Sequence, residues 1–150
     1  MQGTESQRLG IDGSMAREVN MNKCAEAIRV LLVDDHAMFR QGLQSYLSTY
    51  YRDLEVVGEA GSGEEALQAV QMLTPSVVVM DINMPGLNGI EATARIKKTN
   101  PHVAVLGLSM HVDEDHRRAM ISAGATALLS KEAVVEQLYH AIINSSSASG

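Results

Sequence analysis

Tryptophan is absent from this 150-residue chain, phenylalanine occurs once, and aromatic residues together reach only 3%. That scarcity argues against a surface that stacks nucleic-acid bases on rings. It also means that the core has to be assembled from Val, Leu, Ile, Ala and Met. Cysteine occurs once, as Cys24, so no internal disulfide can form, which suits a reducing cytosol. No apolar run approaches the roughly 18 residues of a membrane span. The polar opening stretch has no apolar segment of the kind a signal peptide requires. Positive charge is in short supply: 12 Lys and Arg stand against 18 Asp and Glu, a net −6, which argues against a phosphate-backbone footprint. Neither a His/Cys cluster at zinc-like spacing nor a solenoid-type repeat is found. A soluble, cytoplasmic protein with no membrane partner is expected.

An apolar fraction of 45% is ordinary for a globular domain. Residues 1–27 are polar and without period, and read as a disordered tail, either native or appended. Residues 144–150 are Ser-rich, with the composition of a tail or the start of a linker. Between them, residues 28–143 alternate short apolar runs with longer helical patterns. The expected strands are Ile28–Val33, Leu54–Val57, Ser76–Met80, Val103–Leu108 and Thr126–Leu129. Helical patterns run from Ala37 to about Tyr50, from the capping box at Ser62–Glu65 through Leu73, from Asn88 to about Thr99, from Asp113 to Ala123, and from about Glu132 to Ile143. Pro75 and Asn100-Pro101 punctuate the second and third, and Gly124 closes the fourth. This alternation predicts an α/β fold, a doubly wound five-stranded parallel sheet covered by helices on both faces.

The chemical signal lies at the carboxyl ends of the strands. The first ends in Asp34-Asp35, the third in Asp81, the fourth in Ser109 and the fifth in Lys131, whereas Ala60-Gly61 after the second is unreactive. Open parallel sheets bind ligands outside the carboxyl ends of their strands, so these residues converge on one site. Gathered carboxylates repel unless a cation neutralises them. An all-oxygen set suits a hard ion such as Mg²⁺. Asp35 and Asp81 are expected to hold it, with Asp34 binding directly or through water. Lys131 would present a compact positive charge to a phosphoryl oxygen, and Ser109 a hydroxyl. Asp81 stands alone after the most buried strand and is the best candidate for a carboxylate nucleophile.

Asp34 and Asp35 read in isolation could simply cap the first helix, but their company at the strand ends outweighs that reading. His36 fits a helix start better than a metal ligand or phosphate carrier, and His111, two residues beyond Ser109, reads first as an ordinary loop residue and only second as one lining access to the site. The face made by the fourth helix, fifth strand and fifth helix, with Arg117, Arg118 and Tyr139, is a candidate partner surface.

Val33-Asp-Asp-His-Ala-Met-Phe-Arg-Gln-Gly-Leu43, Met80-Asp-Ile-Asn-Met-Pro-Gly-Leu-Asn-Gly89, Leu108-Ser-Met-His111 and Gly124-Ala-Thr-Ala-Leu-Leu-Ser-Lys131 together resemble the receiver domains of bacterial two-component response regulators. They look most like the subgroup that usually carries a C-terminal LuxR-type helix-turn-helix. The resemblance implies a flavodoxin-like (βα)5 sheet of order 2-1-3-4-5. It implies Asp81 as phosphoacceptor, Asp34 and Asp35 as the acidic pair at Mg²⁺, and the Asn83 backbone carbonyl as a further ligand. Ser109 and Lys131 become the switch hydroxyl and the lysine, with Pro85 and Gly86 shaping the loop after the acceptor. A histidine kinase would be the phosphodonor, a homodimer would form through the last helices, and DNA would be reached only through an output domain beyond these residues. No conventional enzyme is implied, since the domain assists only its own phosphorylation and dephosphorylation. The chain departs from the family at one position. The family usually has Tyr or Phe three residues before the lysine, and here that position is Leu128.

Three other readings compete. A stand-alone receiver would act through protein–protein contacts. A Mg²⁺-dependent phosphohydrolase of the haloacid-dehalogenase type would need an acid where Asn83 stands. A flavodoxin-like FMN binder would need a phosphate loop where Asp34-Asp35 stand, and rings that this chain lacks.

Overall fold

The computed structural model describes residues 26–149, with side chains through 146. The leading segment and Cys24 lie outside the described residues. The strands are β1 (Ile28–Val33), β2 (Leu54–Ala60), β3 (Val77–Asp81), β4 (Ala104–Ser109) and β5 (Ala127–Ser130). Between and after them run α1 (Ala37–Tyr50), α2 (Gly63–Leu73), α3 (Gly89–Thr99), α4 (Glu114–Ala123) and α5 (Val134–Ser149). All pairings are parallel, in the order β2-β1-β3-β4-β5, the fold expected from the sequence.

The strands sort their side chains by the period of two. Leu31, Val33, Val78, Met80 and Val105 enter one apolar cluster with Ala66 and Val70 of α2, Ala92 and Ile96 of α3, and Met120 of α4. Their neighbours Val30, Leu32, Val77, Val79, Leu106 and Leu108 enter the other, with Leu43 and Leu47 of α1 and Val134, Leu138 and Ile142 of α5. Every residue of β3 is buried, as befits the central strand.

Local chemistry sets the helix ends. Ser62 accepts a hydrogen bond from the Glu65 amide (3.1 Å), and Glu65 Oε1 accepts from the Gly61 amide (2.8 Å). The reciprocal bond therefore reaches one residue earlier than in a standard capping box. Asn88 and Asp113 cap α3 and α4 by accepting from Glu91 and His116. Thr74 takes the left-handed conformation (φ 45°) and closes α2 ahead of Pro75, and Gly124 (φ 112°) closes α4.

Two boundaries differ from the sequence pattern by more than two residues. β2 runs on to Ala60, because β1 pairs with it as far as Val33↔Ala60 across a register shift after Val30, and the Asp34 amide donates to the Ala60 carbonyl (3.0 Å). α5 continues through the serines to Ser149, past Ile143, where its apolar stripe ends. Tyr139 also departs from the expected exposed surface. It is half-buried, stacked on Tyr51 with ring centroids 4.0 Å apart, and its hydroxyl donates to Asp53. Arg117 and Arg118 are exposed and both pair with Glu114.

Candidate phosphoacceptor site

β1 and β3 are sheet neighbours whose connections leave in opposite directions, toward β2 and toward β4. The crevice at their carboxyl ends is the switch point of the sheet. Asp34 leaves β1 there and Asp81 closes β3, and both are buried. Lys131 comes after β5 and reaches back across the sheet. Its Nζ lies 2.7 Å from Asp34 Oδ2 and 3.5 Å from Asp81 Oδ2, with only 6% of the side chain exposed. Its ammonium also stands 4.7 Å from the centre of the Phe39 ring, at cation–π range. Asp35 is more open and joins Asp34, His36 and Asp81 in a group whose ligand-type atoms all lie within 4.8 Å of one another.

The two oxygens of Asp34 face different partners. Oδ2 meets Lys131, whereas Oδ1 accepts from the His36 amide (2.8 Å) and lies 2.9 Å from His36 Nδ1. Burial pushes the Asp34 carboxyl up, but the bonds from Lys131 and His36 outweigh it and hold the group below the usual carboxylate range. Asp81 goes the other way, pushed up to about 6. Burial is the main cause, and the neighbouring Asp34 charge adds to it. The amide of Asn83 (3.1 Å to Oδ1) and the more distant Lys131 offset it in part.

These donors fit a hard divalent ion. Three carboxylates converge, and the buried Asp34 Oδ2 and Asp81 Oδ2 share the single ammonium of Lys131 as their partner. One cation, Lys131, faces two buried acids, so a charge deficit remains for a metal to fill.

Close packing holds the loop after β3. A side chain at Gly89 would put its Cβ 2.2 Å from the Asp81 carbonyl, and one at Gly63 would sit 2.3 Å from the Leu87 carbonyl. Gly86 takes a positive φ of 74°, and the Leu87 amide donates to Glu64 Oε2 (3.3 Å). The start of α2 and the start of α3 thus clamp the segment that carries Asn83, Pro85 and Gly86.

Ser109 is buried at the end of β4, but its hydroxyl is turned into its own loop. Oγ donates to the His111 carbonyl (2.8 Å) and accepts from the His111 amide (3.1 Å). The structure therefore gathers Asp34, Asp35, Asp81 and Lys131, with the Asn83 amide on Asp81, and leaves Ser109 engaged elsewhere. Sequence reasoning missed Arg40 and Glu59. Arg40 donates to the Asp34 carbonyl and, through Nε, to Glu59 Oε1 (2.8 Å), bracing the acidic turn from α1 and β2. An arginine on the inward face of the helix after the acidic pair was the available signal.

Leu128 is buried on the face of α2, α3 and α4. A Cβ at Gly107 would come within 2.9 Å of its Cδ1 and 2.7 Å of Met120 Cε, so the space beside it is filled. Among the described residues, no helix is long and apolar enough to cross a membrane.

The five-stranded sheet and the acidic pocket at its switch point define a flavodoxin-like α/β domain equipped to hold a cation beside a buried carboxylate. A family model described as the response regulator receiver domain matches residues 30–143, and the chain belongs to that family. It is a receiver domain of two-component response regulators of the LuxR type. It is 38% identical over 128 residues to the transcriptional regulatory protein DegU of Brevibacillus brevis, covering 85% of this chain and 52% of that protein. It is 39% identical over 115 residues to the response regulator protein VraR of Staphylococcus aureus, covering 77% and 54% respectively. The chain thus spans about half the length of these curated relatives. Among solved structures it resembles a LuxR-family two-component response regulator from Aurantimonas (32% identity, TM-score 0.77, 81% of this chain and 86% of that one). It also resembles the response regulator domain of Thermotoga maritima CheB (32%, TM-score 0.75, 81% and 97%).

Proposed function

We propose that this chain is a phosphorylation-controlled signalling module in which Asp81 accepts a phosphoryl group from a phosphohistidine of a sensor kinase. The observation that carries the reading is the convergence of Asp34, Asp35 and Asp81 with Lys131, a buried carboxylate beside one fixed cation and an excess of negative charge. An oxygen of Asp81 forms the new bond to phosphorus while the phosphorus–nitrogen bond breaks, and the imidazole keeps the electron pair. Asp81 is already ionised at neutral pH, so no general base is required. Lys131 binds a phosphoryl oxygen, and Ser109 exchanges its bond to the His111 carbonyl for one to another oxygen. Asp34, Asp35, Asp81 and the Asn83 carbonyl would hold Mg²⁺, which would supply charge neutralisation when bound.

The module is a signal transducer rather than a conventional enzyme. Its output is transcriptional, through a helix-turn-helix domain outside these residues and a homodimer formed through the last helices. That part of the reading is supported by the likeness to DegU, a transcriptional regulatory protein. With Asn83 two residues after Asp81, the acid needed for a haloacid-dehalogenase-type phosphohydrolase is missing.

The test is intact-mass spectrometry after incubation with Mg²⁺ and acetyl phosphate. One phosphoryl group is expected on the wild type and none on Asp81→Asn. An unlabelled wild type, or a variant labelled equally, overturns the proposal.

A further inference from the structure

A cleft between α2 and α3 takes no part in the phosphoacceptor reading. It is lined by the later turns of both helices, between residues 67 and 71 and between 95 and 100. The first turns of the same helices clamp the loop after β3, so the cleft lies at their far ends from the acidic pocket. Its volume is about 330 Å³. An apolar cavity of about 150 Å³ accepts one benzene, so there is room here for a two-ring body.

The floor of the cleft is apolar. Leu67 and Val70 supply it from one face of α2, and Ile96 from α3. Its rim is polar and carries charge of one sign. Arg95 and Lys98, three residues apart, stand on one side of α3. Among the described residues, no acid lines the cleft, and neither of these side chains has a carboxylate or carbonyl partner. Their neighbour Lys97, by contrast, donates to the Pro101 and Val103 carbonyls at 2.8 Å each. Arg40, Arg117, Arg118 and Lys131 all face carboxylates. Gln71 Nε2 donates to Asn100 Oδ1 (3.1 Å), tying the end of α2 to the end of α3 and fixing the outline between them.

In a chain of net charge −6, two unpaired cations above an apolar floor are a local reversal of sign. They complement a ligand that joins an apolar body to one negative charge, and the planar fork of an arginine matches a carboxylate through two bonds. We propose that the α2–α3 cleft is a binding site for a small amphipathic carboxylate, an aromatic acid of about two rings. The apolar body rests on Leu67, Val70 and Ile96, and the carboxylate faces Arg95 and Lys98. The site uses no residue of the acidic pocket, so it stands or falls apart from the phosphoacceptor reading.

Titration of the isotope-labelled full chain with naphthaleneacetate, followed by amide chemical shifts in NMR, tests it, with the neutral naphthylethanol as control. The acid is expected to bind with a Kd in about the millimolar range and to shift amides at residues 67–71 and 95–100. The alcohol is expected to bind the same cleft about threefold more weakly. The double variant Arg95→Gln, Lys98→Gln should lose that preference and keep the alcohol's affinity. Gln71→Trp, which fills the cleft from its rim, should abolish binding of both probes, and each variant's own spectrum shows that it is folded. A wild type without saturable shifts, shifts that map elsewhere, an alcohol bound as tightly as the acid, or either variant behaving as wild type overturns the proposal. So does a free protein whose amides around the cleft shift on dilution, because a second copy then occupies it.

Discussion

The ammonium of Lys131 lies 2.7 Å from Asp34 Oδ2, joining the end of β5 to the end of β1 across the two strands between them. Both side chains are nearly buried, at 6% and 4% exposure, and the same ammonium is 3.5 Å from Asp81. One cation thus holds two acids that would otherwise repel each other inside the protein.

Lys131→Met should leave both carboxylates buried without their cation. Breaking a buried pair from one side costs about 3–5 kcal/mol, and a loss of about 3 kcal/mol is expected at pH 7.5 by urea unfolding. The loss should be smaller at pH 5, where Asp81 takes up a proton.

Asp81→Asn should stabilise the metal-free protein, with a clear pH signature. The folded-state pKa is raised from 3.8 to about 6, so the folded protein binds the proton more tightly than the unfolded chain. The stability associated with that proton is complete below about pH 4 and is lost as pH rises through 6. Two pK units correspond to about 2.7 kcal/mol, and coupling to Lys131 reduces the expected gain to about 2 kcal/mol at pH 7.5. The gain should vanish near pH 4. Denaturant titrations of both proteins in chelator at several pH values check this.

Mg²⁺ should raise the thermal midpoint. At about ten times its Kd, an ion that binds only the folded state adds about 1.4 kcal/mol, or about 4 °C for a domain of this size. The shift should shrink at pH 5.5, where a proton competes for Asp81, and disappear on chelation. Differential scanning calorimetry reads it directly.

Gly89→Ala should damage both fold and site. Its Cβ would stand 2.2 Å from the Asp81 carbonyl and 2.7 Å from Ile82 Cα, and backbone cannot yield as a flexible side chain can. A loss of about 3 kcal/mol, at the upper end for overpacking, is expected in urea, together with slower labelling by acetyl phosphate.

Leu128→Tyr, which supplies the ring usual in the family, should destabilise rather than restore a switch. Leu128 and Met120 already fill the space against Gly107. The expected cost is about 1–3 kcal/mol, measured by equilibrium unfolding. The companion variant Leu128→Met should be nearly neutral.

Much of this molecule was legible in the chain. Ser62, Asn88 and Asp113 announced their helices because capping is decided within four residues, and Val77–Met80 announced a central strand by being apolar on both faces. The polar residues at the strand ends, Asp34, Asp35, Asp81 and Lys131, could be read from the alternation of elements. What tertiary structure alone decided is which atoms meet. The strand order 2-1-3-4-5 sets Lys131 against Asp34 first and Asp81 second, and the turn after β4 draws the Ser109 hydroxyl to His111. Tyr139 was placed on Tyr51 and Asp53, and Arg40 on Glu59, by the packing of α5 and α1 over one face of the sheet. The reason is one of range. Helical and strand periods are written in neighbouring residues, whereas contacts between distant segments depend on how the whole sheet is ordered and on the turns that leave it.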